Sequence, residues 1–260
     1  MDMLPELFSL KGKTALITGG SRGLGFQMAQ GVVEMGGQVI LTARKQDELD
    51  EARARLEAMG GAVRTIACDL QKLDGIAAVV DEAIAAFGAI DILVNNAGAS
   101  WGAPMEDFPL DGWMKVMNLN ITSPFVLTQE VGRKAMIPAG GGKIVNVASI
   151  GGFRGNRPDL GMKTIAYNTS KAAMINFTKA LAAEWGRFNI NVNALCPGFF
   201  PSKMSAGLLS QIEDRMISAV PLGRLGGEAD LMGPAVFLMS EAARHITGVA
   251  LAVDGGSSAV

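Results

Sequence analysis

TALITGGSRGLGFQMAQGVV, residues Thr14–Val33, is the stretch on which the reading of the fold turns. An apolar run over Thr14–Thr18 reads as a buried strand. The glycine-rich TGGSRGLG of Thr18–Gly25 follows it and opens directly into a helix-like segment over 23–36. Glycines permit a tight turn and let the backbone approach a pyrophosphate closely, while the next helix offers unpaired N–H groups and the positive end of its dipole. A glycine-rich turn alone is a weak signal; at the head of a strand–turn–helix unit it is a stronger one.

The same alternation runs outward through the chain. Gln38–Thr42, Val63–Ala67, Ile90–Asn95, Lys143–Ala148, Ile190–Leu195 and Val249–Val253 read as further strands. Their near-continuous Val, Ile, Leu and Ala character suits a parallel sheet covered on both faces. Helix-like segments lie between them at 46–59, 72–87, 111–135, 167–187 and 228–240, several closed by glycines such as Gly36-Gly37 and Gly60-Gly61. Alternating βα units imply an α/β, doubly wound sheet with helices on both faces. The 260 residues show no repeat or linker, so one dinucleotide-binding and catalytic domain over 1–260 is expected.

Composition narrows the function classes. Apolar residues make up 49% and charged residues 18%, enough for a large core and far from the composition of a disordered chain. The 23 basic and 25 acidic residues are intermixed, and no basic arm suggests nucleic-acid binding. No apolar run approaches a membrane span, and the N-terminal MDMLPELFSLKGK lacks the basic-then-apolar order of a signal peptide. Cys68 and Cys196 read as small buried residues, which points to a reducing cytoplasm.

In an open parallel sheet, ligands collect outside the carboxyl ends of the strands. There the sequence places TGGSRGLG, then Ala43-Arg44-Lys45, Asp69-Leu70, NNAG (Asn95–Gly98), Ser149 and Pro197-Gly198. The end of the second strand discriminates between dinucleotides. An acidic residue there favours a free ribose 2′-hydroxyl and an arginine a 2′-phosphate. Ala43 stands where the acid would be, Arg44 follows, and Arg22 reaches from the glycine loop, so NADP(H) is expected.

Tyr167 and Lys171, in YNTSK, are four residues apart and share one face of a helix-like segment. A free phenol titrates near 10, and a neighbouring ammonium stabilises the phenolate. The pair reads as a general acid/base whose tyrosine is lowered by its lysine. Tyr167 is the only tyrosine, and Ser149 could hydrogen-bond a carbonyl oxygen and orient it towards the phenol.

Taken together, TGGSRGLG, NNAG, Ser149, Tyr167/Lys171, Pro197-Gly198 and the VDGG of Val253–Gly256 occur in the order and approximate spacing of the short-chain dehydrogenase/reductase family. The chain resembles that family over essentially its whole length. The resemblance implies a Rossmann-type sheet of seven strands, a homotetramer, and a Ser149, Tyr167, Lys171 set completed by an asparagine in a proton relay. Asn118 and Asn120 compete for that place; WMKVMNLNITSPF (Trp113–Phe125) matches the pattern best with Asn120. Pro124 lacks the N–H that the Asn120 carbonyl would otherwise receive in an α-helix, which frees that carbonyl for a water.

The implied cofactor contacts are Gly19, Ser21, Arg22, Gly23, Leu24 and Gly25, with Arg44 beyond them. Asp69 and Leu70 would lie at the adenine and Asn96, Ala97 and Gly98 at its ribose. Tyr167, Lys171, Pro197, Gly198, Phe200 and Ser202 would lie towards the nicotinamide. No cluster with metal-ligand spacing is present, and His245 reads as a surface or structural residue.

Ser149 and Tyr167 are 18 residues apart, more than is common in the family, so FRGNRPDLGMKTIA (Phe153–Ala166) should border the substrate. Its Arg154, Arg157 and Lys163 read either as an anion-attracting set or as a solvated face. NAGASWGAP, GFFPSKMS and PLGRLGG resemble 3-oxoacyl reductases of rhamnolipid synthesis, and gluconate 5-dehydrogenases less so. The expected reaction is NADPH-dependent reduction of a 3-oxoacyl thioester or related β-keto substrate. Trp101, Phe153, Phe199, Phe200 and Met204–Met216 would form the acyl wall. The alternatives are a sugar-acid or polyol dehydrogenase of the same mechanism and a non-catalytic dinucleotide-binding protein.

Overall fold

The computed structural model describes residues 3–201 and 213–260 of the chain; Ser202 and Met204 lie outside them. The strands are β1 (Thr14–Thr18), β2 (Gln38–Ala43), β3 (Ala62–Ala67), β4 (Ile92–Asn95), β5 (Gly142–Val147), β6 (Ile190–Pro197) and β7 (Ala250–Val253). All pair in parallel, in the order β3-β2-β1-β4-β5-β6-β7. The expected elements are all present, with ends moved by a few residues. The order reverses between β1 and β4, which opens a crevice at their carboxyl ends.

Helices α1 (Met3–Phe8), α2 (Gly23–Glu34), α3 (Gln46–Ala58) and α4 (Ile76–Phe87) precede a long run from Leu110 to Ala139. That run comprises α5 (Leu110–Met117), α6 (Ser123–Val131) and α7 (Ile137–Ala139), joined by π turns at Asn118–Thr122 and Gly132–Met136. Helices α8 (Ile165–Trp185) and α9 (Met232–Met239) follow.

Side-chain alternation along the strands divides the core in two. Ala15, Ile17, Val39 and Leu41 face α2, α3 and α9, whereas Leu16, Ile40 and Leu93 face α4, α6 and α8. Strands that feed apolar side chains to both sides must be sandwiched by helices, and their unbroken apolar sequences follow from that. Some of the polar side chains in this core bond to one another. Asn95 Nδ2 donates to Asn146 Oδ1 (2.8 Å) and Thr128 Oγ1 (3.0 Å), and Asn146 Nδ2 donates to Thr178 Oγ1 (2.9 Å). This chain ties β4 and β5 to α6 and α8 beneath the crevice.

The turn after β1 is held by close backbone approach. Gly19 has φ +63, and a Cβ on Gly25 would lie 2.3 Å from the Gly19 carbonyl oxygen. The nearest obstacle there is backbone, with the Asn96 side-chain amide next at 2.6 Å, so a rotamer change alone cannot relieve the clash. Gly25→Ala should therefore cost about 1–3 kcal/mol of unfolding free energy in urea titration, with weaker dinucleotide binding because the loop must move.

Candidate active site

A cavity of about 670 Å³ runs along the carboxyl ends of the strands. The β1 loop (Gly19, Ser21, Arg22, Gly23, Leu24), Arg44, Asp69, Leu70, Asn96, Ala97 and Gly98 line one arm of it. Ser149, Tyr167, Lys171, Pro197, Gly198, Phe199 and Phe200 line the other. Helix α2 begins at Gly23 without any side-chain cap on its first N–H groups. Those donors, with Arg44 exposed at the rim, suit the anionic part of a dinucleotide. Thr42 adds a fully buried wall hydroxyl with no hydrogen-bond partner among the described residues.

The loop after β4 is fastened to the loop after β1. Asn96 Nδ2 donates to the carbonyls of Thr18 (2.9 Å) and Gly19 (3.1 Å), and the N–H groups of Asn96 and Ala97 both reach Thr18 Oγ1 (2.9 Å each). Asn96 thus lies on the wall with its side-chain amide bonded to the end of β1 and the loop that follows it. Asp69 caps its own turn through the N–H of Gln71 (3.1 Å). Gly25 is not on the cavity wall; its part is the close approach to Gly19.

At the other end, β5 delivers Ser149 and α8 delivers Tyr167 and Lys171. The Ser149 hydroxyl hydrogen-bonds the Tyr167 phenol and accepts from the N–H of Gly151 (3.1 Å). Lys171 is 5% exposed, and its ammonium donates to the Val147 carbonyl at 2.7 Å. It lies 5.5 Å from the centre of the Tyr167 ring. Burial pushes the Tyr167 phenol above its ordinary value, and the Ser149 hydrogen bond pulls it partly back. The lowering of the tyrosine by its lysine, expected from the sequence, is not found: burial raises the phenol, and the group that pulls it back is Ser149. Burial also lowers Lys171, to about 8. Cys196, below them, is pushed up to about 12 by burial and stays a neutral thiol at neutral pH.

Of the two candidate asparagines, Asn120 is the one that meets α8. Its amide donates to Ser170 Oγ (2.9 Å) and the Ala99 carbonyl (3.0 Å), and its Oδ1 accepts from the Ala99 N–H (2.8 Å). Asn118 turns away to the Gln71 carbonyl (3.0 Å). The π turn at 118–122 and Pro124 interrupt the α-helical ladder at the Asn120 carbonyl.

Residues 13–213 match the family described as short chain dehydrogenase. The chain belongs to this family. Gluconate 5-dehydrogenase of Gluconobacter oxydans is 39% identical over 259 residues, covering 97% of each chain. A rhamnolipids biosynthesis 3-oxoacyl-[acyl-carrier-protein] reductase of Pseudomonas aeruginosa is 36% identical over 254 residues, covering 96% of this chain and 97% of that one. The crystal structure of a gluconate 5-dehydrogenase from Burkholderia cenocepacia, in complex with NADP and tartrate, superimposes with a TM-score of 0.93 at 34% identity, covering 99% of both chains.

Within this short-chain dehydrogenase, the long loop after Ser149 does border the cavity, through Arg154, Gly155, Asn156, Arg157, Leu160, Met162 and Thr164. Its arginines are engaged: Arg154 donates to the main-chain oxygens of Ser257 and Val260, and Arg157 pairs with Asp159 at 2.8 Å. Lys163 is exposed and off the wall. The expected acyl wall is only partly assembled. Phe199, Phe200 and Met216 line the cavity, but Trp101 packs on Gly112 and beside Lys115, and Phe153 is exposed.

Asn156 and Asn168 were not anticipated from the sequence. Asn168 Nδ2 donates to Asn156 Oδ1 (3.1 Å) and its Oδ1 accepts from Thr164 (3.0 Å), while Asn156 donates to Thr164 (2.9 Å). This clip fixes the loop to the first turn of α8, and the side chain next to Tyr167 in YNTSK was the only signal of it. His245 is exposed, and among the described residues no cluster could hold a metal ion.

The buried lysine makes stability depend on pH. Between about 8 and its ordinary 10.5, the folded chain holds fewer protons at Lys171 than the unfolded chain does. Stability contributed by this site therefore rises with pH across that window, and the cost of burying the charge is complete below it. Relative to Lys171→Met, the wild-type unfolding free energy should gain about 3 kcal/mol between pH 7.5 and 10.5, measured by urea titration across pH.

Proposed function

We propose that this short-chain dehydrogenase interconverts a ketone and a secondary alcohol on a small polyhydroxylated carboxylate, with NADP(H) as hydride carrier. The observation that carries the reading is the polar end of the cavity. Ser149, Tyr167, Asn168, Asn156 and Arg154 face the same space, drawn together by the clipped loop. A gluconate 5-dehydrogenase relative of full-length match and another solved with NADP and tartrate support it. The thioester reading suggested by the sequence moves to second place. What favours it is the apolar side of the cavity, Leu160, Met162, Phe199 and Met216.

NADP(H) fits the cavity by the uncapped start of α2, the exposed Arg44 and the absence of an acid at Ala43. Bound there, the reduced cofactor supplies a hydride to the substrate carbon. Everything else falls to this chain. Ser149 holds the carbonyl oxygen beside the phenol with which it already shares a hydrogen bond. Tyr167, kept protonated by burial, gives its proton to that oxygen as negative charge develops there. Lys171, protonated for the most part at neutral pH, stabilises the phenolate that results. Cys196 adds no opposing charge, because its thiol stays neutral. Asn120 holds the Ala99 backbone against α8, and its carbonyl, left without a helical donor by Pro124, is placed to accept from a water that would carry the proton onward.

The same reading includes a homotetramer in a reducing cytoplasm. Leu110, Met114 and Phe125 are exposed along α5 and α6 as an apolar face for a second copy, and both cysteines are free.

Two measurements test it. Tyr167→Phe should keep NADPH affinity and lose turnover by about a hundred- to ten-thousand-fold; a variant within threefold of wild type would remove the phenol from its role. In NADPH-consumption assays, 5-ketogluconate should be turned over with kcat/KM at least tenfold above a 3-oxoacyl coenzyme A. The reverse order would restore the thioester reading.

A further inference from the structure

Arg22 and Lys45 are not free cations at the dinucleotide arm of the cavity. Arg22 Nη1 lies 2.6 Å from Glu48 Oε1, and Lys45 Nζ lies 3.3 Å from the same oxygen. Ser21 Oγ donates to the other carboxylate oxygen at 3.5 Å. All four residues, with Arg44, line the cavity. Glu48 sits on the first turn of α3, one turn past the end of β2, and its carboxylate is largely covered while Arg22 is half exposed. The acid missing from position 43 at the end of β2 is thus replaced in space by one from the next helix.

We propose that Glu48 is a specificity-determining residue which weakens the preference for a 2′-phosphorylated dinucleotide by occupying the cations that would bind it. The inference rests on the NADP(H) reading above. Two effects of the carboxylate oppose each other. It orients Arg22, which would help a phosphate to bind, and it repels the phosphate's own negative charge. Ion pairs of half-exposed side chains are worth little, so the orienting effect is small. Repulsion between a carboxylate and a phosphate sharing one guanidinium acts at close range beside a low-dielectric wall, and it is the larger effect. Arg44 remains for the phosphate in either case, and an unphosphorylated ribose would be almost indifferent to the charge of Glu48.

The test compares wild type with Glu48→Gln, which keeps the shape and a hydrogen-bond acceptor for Arg22 but removes the charge. Dissociation constants for NADPH, NADH, adenosine 2′,5′-bisphosphate and ADP are measured by calorimetry at two salt concentrations. The expected result is about tenfold tighter binding of NADPH and of the 2′,5′-bisphosphate at low salt. NADH and ADP should stay within twofold and the melting temperature should not move. Unchanged or weaker NADPH binding by the variant, with wild type still preferring NADPH over NADH, would overturn the role of Glu48 alone. Wild type that binds NADPH no more tightly than NADH, and 2′,5′-bisphosphate no more tightly than ADP, would overturn the cofactor reading and this inference with it.

Discussion

The amide of Asn96 donates to two successive carbonyls at the end of β1, and Thr18 returns the contact by accepting from two successive N–H groups of the β4 loop. These bonds join the two strands between which the sheet order reverses. On its other side the β1 loop is tied to β2 through the N–H of Gly19 and the Thr42 carbonyl (2.7 Å). The lip of the crevice is therefore fixed by backbone polar groups satisfied across neighbouring loops. The glycines of TGGSRGLG serve this arrangement as much as they serve a phosphate. A side chain at Gly25 would push α2 away from Gly19, and one at Gly19 would meet the Asn96 amide at 3.0 Å.

Beneath that lip, the chemistry is set by burial. Tyr167, Lys171 and Cys196 are three titratable groups enclosed in one small volume, and desolvation moves each towards its neutral form. Phenol up, ammonium down and thiol up leaves a proton donor and a modestly basic amine a few ångströms apart, with the neighbouring thiol neutral. The chain from Asn95 through Asn146 to Thr178 lies directly below and locks β4 and β5 to the helices that carry Lys171 and Asn120's neighbours. Apart from Asn95 Oδ1, which has no partner among the described residues, these side chains are bonded to one another, and such a network in an apolar core tolerates few alternative packings.

The mouth of the cavity is governed by a different device. The loop from Phe153 to Ala166 has little regular structure, yet Asn156, Thr164 and Asn168 bond to each other and Arg154 spans to the main chain of Ser257 and Val260. Charges that would otherwise advertise an anion site are thereby spent on holding the loop in place. The same holds at the far end, where Glu48 gathers Arg22 and Lys45.

The seven strands, their parallel character and the location of the cavity were legible from the sequence. An unbroken apolar strand has one stable environment, and a glycine turn gains meaning from standing between the first strand and its helix. Ser149, Tyr167 and Lys171 were legible for a related reason: strand ends and a four-residue helical spacing bring them together whatever the rest of the chain does. Asn120 could be preferred to Asn118 through Pro124, because a missing N–H is a local fact. What the sequence could not settle were contacts between residues distant along the chain. Glu48 is 26 residues from Arg22, and Arg154 is 103 residues from Ser257. Nothing in local pattern says which charge will neutralise which, or that burial will raise the tyrosine rather than the lysine lower it. The chain alone determined the frame and the reacting groups, because periodicity and backbone chemistry act locally. Only the tertiary structure decided which charges stay available to a ligand, because desolvation and long-range pairing are properties of the packed molecule.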